Sequence, residues 1–321
     1  MFKNQILLVS SLVSLFIVSC KNNHQAYMQN PVVKGDFADP SIVKYEGKYY
    51  MYATRDPWGG EYLAVMESKD FKNWEQKEIN WPTKTLCTSS TSNDSRVWAP
   101  SVIQGKNGMF YMYVSVGSEV WVGISQHPLG PWKNGKLDNT PLIRGNMIKD
   151  YHMIDAEAFI DDDGQAYLYW GSGLNWVNGH CFVVKLNEDM VSFNEEKIKD
   201  VTPPNYFEAP FMLKYNNKYY LMYSDGKCTT ETYKVRYAIG DNPYGPWKEG
   251  GNSPILTTSV DKSTLGPGHH TIIKEGAQHY IVYHRITDNS KELYREIAVD
   301  SLNFNIEGNI EKVRTNSGVF F

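Results

Sequence analysis

Between residues 38 and 54 the chain reads ADPSIVKYEGKYYMYAT, an apolar run, a polar turn at Glu46-Gly47-Lys48, then an alternating run rich in aromatics. That pattern predicts a strand, a tight turn and a second strand. It returns four more times, at residues 98–115, 154–172, 207–224 and 268–285. Tyr50, Tyr111, Tyr167, Tyr220 and Tyr280 occupy the same place in each copy, about 53–61 residues apart, within reach of known propeller repeats. A second repeat interleaves with the first. Apolar runs around Val65, Val122, Val183, Tyr237 and Ile297 read as third strands, each leading through a turn to Trp74, Trp132, Phe193, Trp247 or Phe304. Pro141-Leu142-Ile143 and Pro254-Ile255-Leu256 read as fourth strands. The turns Leu129-Gly130-Pro131 and Tyr244-Gly245-Pro246 are near duplicates, and the tryptophans that follow them are expected to pack between sheets.

Five units of about four antiparallel strands, with no long helical period, predict an all-β fold: a five-bladed β-propeller around a central channel. Radial repetition buries both faces of each sheet and leaves few exposed strand edges. No linker interrupts the units, so residues 31–321 form one domain. The interval 55–93 is the longest between equivalent strands and is expected to carry a loop insertion.

Composition narrows the function. Among the 321 residues 14% are aromatic, and a formal net charge of −4 without any basic run argues against nucleic acid as a partner. Residues 1–20 read as a targeting segment, with Lys3 before an apolar stretch from Ile6 to Val18. It ends at Ile17-Val18-Ser19-Cys20, which resembles a bacterial lipoprotein cleavage site with Cys20 as the lipidated residue. A plain secretory signal cut near Ser19 is the alternative. Either reading predicts export: anchored to the outer membrane or facing the periplasm if Cys20 is lipidated, secreted if it is not. Residues 21–30 then form a short polar tether. The lipid anchor is the only membrane contact expected, because no apolar run reaches the ~18 residues of a membrane span. Cys87, Cys181 and Cys228 allow at most one disulfide, and their spacing does not suggest zinc.

In a propeller the first strand of each blade lines the channel, and all begin on one face. Those beginnings read Asp39-Pro40-Ser41, Ala99-Pro100-Ser101, Asp155-Ala156-Glu157, Glu208-Ala209-Pro210 and His269-His270-Thr271. Counted back from the equivalent tyrosines, Asp39, Asp155, Glu208 and His269 fall at matching places, within the one residue by which turns vary. Three carboxyl groups and a histidine therefore converge at one mouth of the channel. A lone Asp before Pro is ordinarily a turn residue, but three acids at equivalent places raise one another's pKa and point to function. Glu157 shares a strand face with Asp155. Asp161, Asp162 and Asp163 sit in the turn at the far end of the blade and are expected to be solvated.

These residues carry a resemblance. Ala38-Asp39-Pro40-Ser41, Trp98-Ala99-Pro100, Ile154-Asp155, Phe207-Glu208-Ala209-Pro210 and Gly266-Pro267-Gly268-His269, in this order, resemble glycoside hydrolase family 43 along essentially the whole mature chain. The resemblance implies an inverting hydrolase of arabinose- or xylose-containing plant cell-wall glycans. It implies Asp39 as general base, Glu208 as general acid and Asp155 as the group that orients and tunes Glu208. An anionic Asp155 beside Glu208 would raise its pKa as the chemistry needs. His269 matches a histidine that in many members helps hold a hydrated calcium or similar cation, a neutral channel-lining imidazole being the alternative. No cofactor is implied for the chemistry. Arg295, followed by Glu296, matches the arginine used at the sugar, with Arg285 as the competing residue. Trp58, Trp98, Trp121 and Trp176 are expected as substrate-binding walls. Glu-Ala-Pro looks more like arabinan-cleaving members, while Asp155-Ala156-Glu157 departs from their usual Asp-Pro, so the subfamily stays open. The expected enzyme is a monomer removing terminal α-L-arabinofuranosyl or β-D-xylosyl units. An endo-acting arabinanase or xylanase and a non-catalytic sugar-binding propeller are the alternatives, and a retaining fructan hydrolase fits less well, lacking its Asn-Asp-Pro-Asn start.

Overall fold

The computed structural model describes residues 27–92, 95–288, 293–316 and 319–320. Residues 1–20, expected to be a targeting segment ending at Cys20, lie outside them. Blade I is built from Phe37–Tyr45, Lys48–Arg55, Ala64–Ser68 and Trp74–Lys77. Blade II comprises Val97–Gln104, Phe110–Val116, Glu119–Ser125 and Lys133–Asn134, and blade III Glu157–Ile160, Ala166–Trp170, Phe182–Lys185 and Lys199–Asp200. Blade IV comprises Glu208–Tyr215, Lys218–Asp225, Lys234–Gly240 and Lys248–Glu249. Blade V has three described strands, Gly268–Glu275, Gln278–Asp288 and Tyr294–Leu302. All pairings are antiparallel, and each first strand touches the first strands of both neighbours, closing a ring around the channel.

The alternating pattern is explained by what fills the seams. On one side of the third strand of blade II, Val120 and Val122 pack with Leu168 and Trp170 of blade III. On the other side Trp121 packs with Tyr50, Tyr52 and Val65 of blade I. Equivalent clusters join blades III and IV, IV and V, and V and I. Each large side chain removed from water in a seam stabilises the ring by about 1.5–3 kcal/mol. Trp132 is buried there as expected, and its indole N–H donates to the Pro128 carbonyl at 3.0 Å.

The fourth strands differ from expectation. In blades II and IV they form directly after the aromatic turn, at Lys133–Asn134 and Lys248–Glu249, whereas Ile143 and Leu256 make single bridges to Val120 and Val235. The chain leaves the blade edge after two residues and returns further along the same third strand. Residues 27–30, expected to belong to a tether, are part of the fold: Tyr27–Met28 pair with Val319–Phe320 and the Asn30 side chain bonds the backbone of Val299 at 2.8 and 3.2 Å. This clasp draws both ends of the described chain to blade V. Asp161 is not simply solvated, since its carboxylate binds Lys214 and Tyr219 of blade IV. Cys87, Cys181 and Cys228 are buried free thiols.

Candidate active site

All five inner strands begin with the same backbone irregularity. Asp39 (φ 52°), Ala99 (φ 44°), Asp155 (φ 59°), Ala209 (φ 55°) and His269 (φ 42°) adopt left-handed conformations. Such a backbone costs a non-glycine residue roughly 1–2 kcal/mol and persists only where the surroundings impose it. Here the neighbouring blade does so. Thr54 Oγ1 accepts the N–H of Ala99 at 2.8 Å, Ser115 Oγ that of Asp155 at 3.0 Å, and Ser224 Oγ that of His269 at 2.9 Å. His284 Nδ1 lies 3.3 Å from the N of Asp39. Between blades III and IV, the backbone of Ala209 lies near the Asp155 carboxyl and acts to lower its pKa.

This pattern corrects the expected equivalence of the acids. Ala209, not Glu208, is the counterpart of Asp39, Asp155 and His269. Glu208 pairs across its blade with Ser224, as Ala38 does with Thr54, Trp98 with Ser115 and Gly268 with His284. Counting from the tyrosines absorbed the offset as turn-length variation. Since successive residues of a strand point to opposite sides, the offset sends the Glu208 side chain into the site by a different route.

Asp39, Asp155, Glu208, His269 and Arg295 line one pocket of about 430 Å³ at the channel mouth. Asp39 is buried among cationic and hydrogen-bonding groups. Its Oδ1 lies 3.2 Å from Arg295 Nη1, 3.0 Å from His284 Nδ1 and 3.3 Å from His269 Nδ1, and Thr54 donates to Oδ2 at 2.7 Å. Burial alone would raise its pKa, but Arg295, His269 and His284 overcome this and hold it well below the ordinary carboxylate range. Burial lowers His284 to about 4, so its imidazole is neutral near neutral pH. Arg295 is in turn clamped by Asp56, whose Oδ1 and Oδ2 accept from Nη2 at 2.7 Å and Nε at 2.9 Å. A bidentate pair of this kind fixes orientation as well as charge.

Glu208 sits in a different environment. Burial pushes its pKa up to about 7, against two hydrogen bonds that favour the anion, from Tyr233 to Oε1 at 2.8 Å and from Ser172 to Oε2 at 2.9 Å. Asp155 is raised well above the carboxylate range by burial and by Glu208 and Asp39. Its nearest basic neighbour is His269 at 3.7 Å, itself shifted by burial towards the neutral form. Asp155 is therefore no fixed anion.

The remaining expected residues divide. Trp58, Trp98 and Trp176 line the pocket. Trp121 does not: it is fully buried between blades and donates to Glu119 at 3.1 Å. Arg285 does not line it either, because it shares a sheet face with its cross-strand partner Glu296, to which it donates at 2.7 Å, and also binds Asn316. Glu157, whose pKa burial pushes up to about 8, turns to Ser101 of blade II rather than to Glu208. Among the described residues no group of three or more His, Cys, Asp or Glu is arranged to hold a metal. A cation beside His269 would thus take most of its ligands from water.

Sequence reasoning missed Thr54, Asp56, Ser172, Cys228, Tyr233 and His284. The second-strand series Thr54, Ser115, Ser224 and His284, each four residues beyond the repeat tyrosine, was a usable signal. Nothing local marked Tyr233, whose ring lies parallel to that of His284 at 5.6 Å and 3°.

A model of glycosyl hydrolases family 43 matches residues 28–310. The chain is 31% identical over 299 residues to a β-D-galactofuranosidase of Aspergillus niger, covering 88% of this chain and 83% of that one. It is 28% identical over 332 residues to a xylosidase/arabinosidase of Bacteroides ovatus, covering 87% and 95%. Among solved structures, an α-L-arabinofuranosidase of Clostridium thermocellum superposes with a TM-score of 0.67 at 28% identity, covering 88% and 95%.

Proposed function

The chain belongs to family 43 of the glycosyl hydrolases, and we propose on that premise that it is an inverting glycosidase removing terminal α-L-arabinofuranosyl or β-D-xylosyl units from plant cell-wall glycans. The observation that carries this reading is one pocket holding two unlike carboxyls, Asp39 kept ionised among Arg295, His284 and His269, and Glu208 kept protonated by burial. Inversion needs a base on one face of the sugar and an acid at the leaving oxygen on the other. Asp39 takes a proton from water as its oxygen bonds to the anomeric carbon. Glu208 gives its proton to the leaving oxygen as the glycosidic bond breaks. Arg295, locked by Asp56, holds Asp39 in place and presents its guanidinium to the sugar.

Trp58, from the interval 55–93, walls one side of the pocket, and a chain blocked on that side would present its terminus rather than its interior. The test uses aryl α-L-arabinofuranoside, aryl β-D-xylopyranoside, aryl β-D-galactofuranoside and linear arabinan. Monosaccharide should be released from the start of digestion, with the anomer opposite to that of the substrate in the first NMR spectra. A retained anomer would refute inversion, and a rapid viscosity drop in arabinan would refute exo action.

The two neighbours of Glu208 should move its pH profile in opposite directions. With Glu208 near 7, kcat/KM on a natural disaccharide should fall as pH rises through that value, because the acid loses its proton. Asp155→Asn removes a carboxyl that competes with Glu208 for protons and gains charge as pH rises; without it Glu208 ionises more easily and the alkaline limb should shift to lower pH. Tyr233→Phe removes a hydrogen bond to the carboxylate, raises the pKa and should shift the limb to higher pH. Shifts of the same sign would show that these residues do not act through Glu208.

A further inference from the structure

A second depression, of about 830 Å³, opens on the same face between blades III and IV. It shares two residues with the catalytic pocket, Trp176 and Phe207. Their rings stack at 5.9 Å and 19°, forming a common wall. Phe207 directly precedes Glu208, so the wall stands at the acid and on the side of the pocket away from Asp39 in blade I. Beyond it the rim carries the exposed amides of Asn178 and Asn205, with the charged side chains of Lys227 and Glu231 also on the lining. Asn178 (φ 55°) and Asn205 (φ 61°) are left-handed, as is Trp176 (φ 62°), so the rim is shaped by backbone that few residues adopt readily.

The direction of cleavage links the two cavities. A proton donor stands at the leaving oxygen, opposite the base. The scissile bond therefore points from the Asp39 side towards Glu208, and whatever is attached to the leaving oxygen continues over Phe207. We infer that the depression beyond the Trp176–Phe207 wall is the leaving-group subsite and receives the glycan chain from which the terminal sugar is cut. Flat aromatic rings offer apolar faces to pyranose or furanose rings, and the amides at the rim match sugar hydroxyls. Its volume falls in the range of sites that bury a ligand of a few rings.

This assignment rests on the catalytic roles proposed above. Its test compares two substrates with the same terminal sugar, one carrying an oligosaccharide leaving group and one an aryl group. Asn205→Gly and Asn178→Gly remove the rim amides while glycine keeps the left-handed backbone without strain. Each variant should lower the ratio of kcat/KM on oligosaccharide to that on aryl glycoside, and the pair together should lower it at least tenfold. Aryl glycoside turnover reports that the catalytic pocket is still assembled. An unchanged ratio in variants that still turn over the aryl substrate overturns the subsite alone. Wild-type protein inactive on every glycoside overturns the functional reading, and the subsite with it.

Discussion

Asp39→Ala should lower kcat/KM by roughly 10²-fold or more on natural and activated glycosides alike, the usual size of general-base catalysis. The water must be activated whatever leaves, so a better leaving group cannot compensate. Asp39 also neutralises Arg295 and receives the Thr54 hydroxyl. The substitution therefore leaves a buried guanidinium with Asp56 as its anionic partner. Asp39→Asn, which preserves the shape, separates loss of the base from loss of packing. Both variants should fail on both substrate types in steady-state assays. Full activity of Asp39→Asn on an aryl glycoside would exclude Asp39 as the base.

Glu208→Ala should nearly abolish cleavage of natural linkages, by about 10²–10⁴-fold, while sparing much of the activity on aryl glycosides with acidic leaving groups. The contrast follows from the chemistry: a sugar alkoxide needs a proton to depart and a nitrophenolate does not. Tyr233 and Ser172 would remain facing an empty place, so the two hydroxyls lose their acceptor but the pocket keeps its walls. Rates on a series of aryl glycosides of rising leaving-group pKa should fall steeply in the variant and gently in the wild type. Equal losses on natural and activated substrates would show that Glu208 is not the proton donor.

The five repeats were legible because each blade repeats one tyrosine and one apolar–turn–aromatic pattern. That alone brings the starts of five strands to one mouth, and so Asp39, Asp155, Glu208 and His269 to one pocket. What linear spacing could not tell was parity. Trp121 and Arg285 lie at the right height along their strands but on the wrong side, Trp121 towards Trp81 and Cys87 and Arg285 towards Glu296. With a side-chain period of two, an uncertainty of one residue reverses a face. The same uncertainty hid the offset of Glu208 from Asp39. Tyr233 and Asp56 are set by tertiary packing, and their neighbours in sequence carry no hint of the partners they find.

The five left-handed residues at the mouth of the channel have a consequence for how this enzyme can fail. Four of the five are held by a side chain from the blade beside them: Asp39 by His284 of blade V, Ala99 by Thr54 of blade I, Asp155 by Ser115 of blade II and His269 by Ser224 of blade IV. A carboxyl and the hook that sets its backbone thus belong to different blades, and no blade carries a complete catalytic unit. Loosening a single seam would disturb acid and base together through the ring, so activity should be lost while most of the sheet structure is still intact. Half a propeller, even if it folded, would have no partial activity to lose.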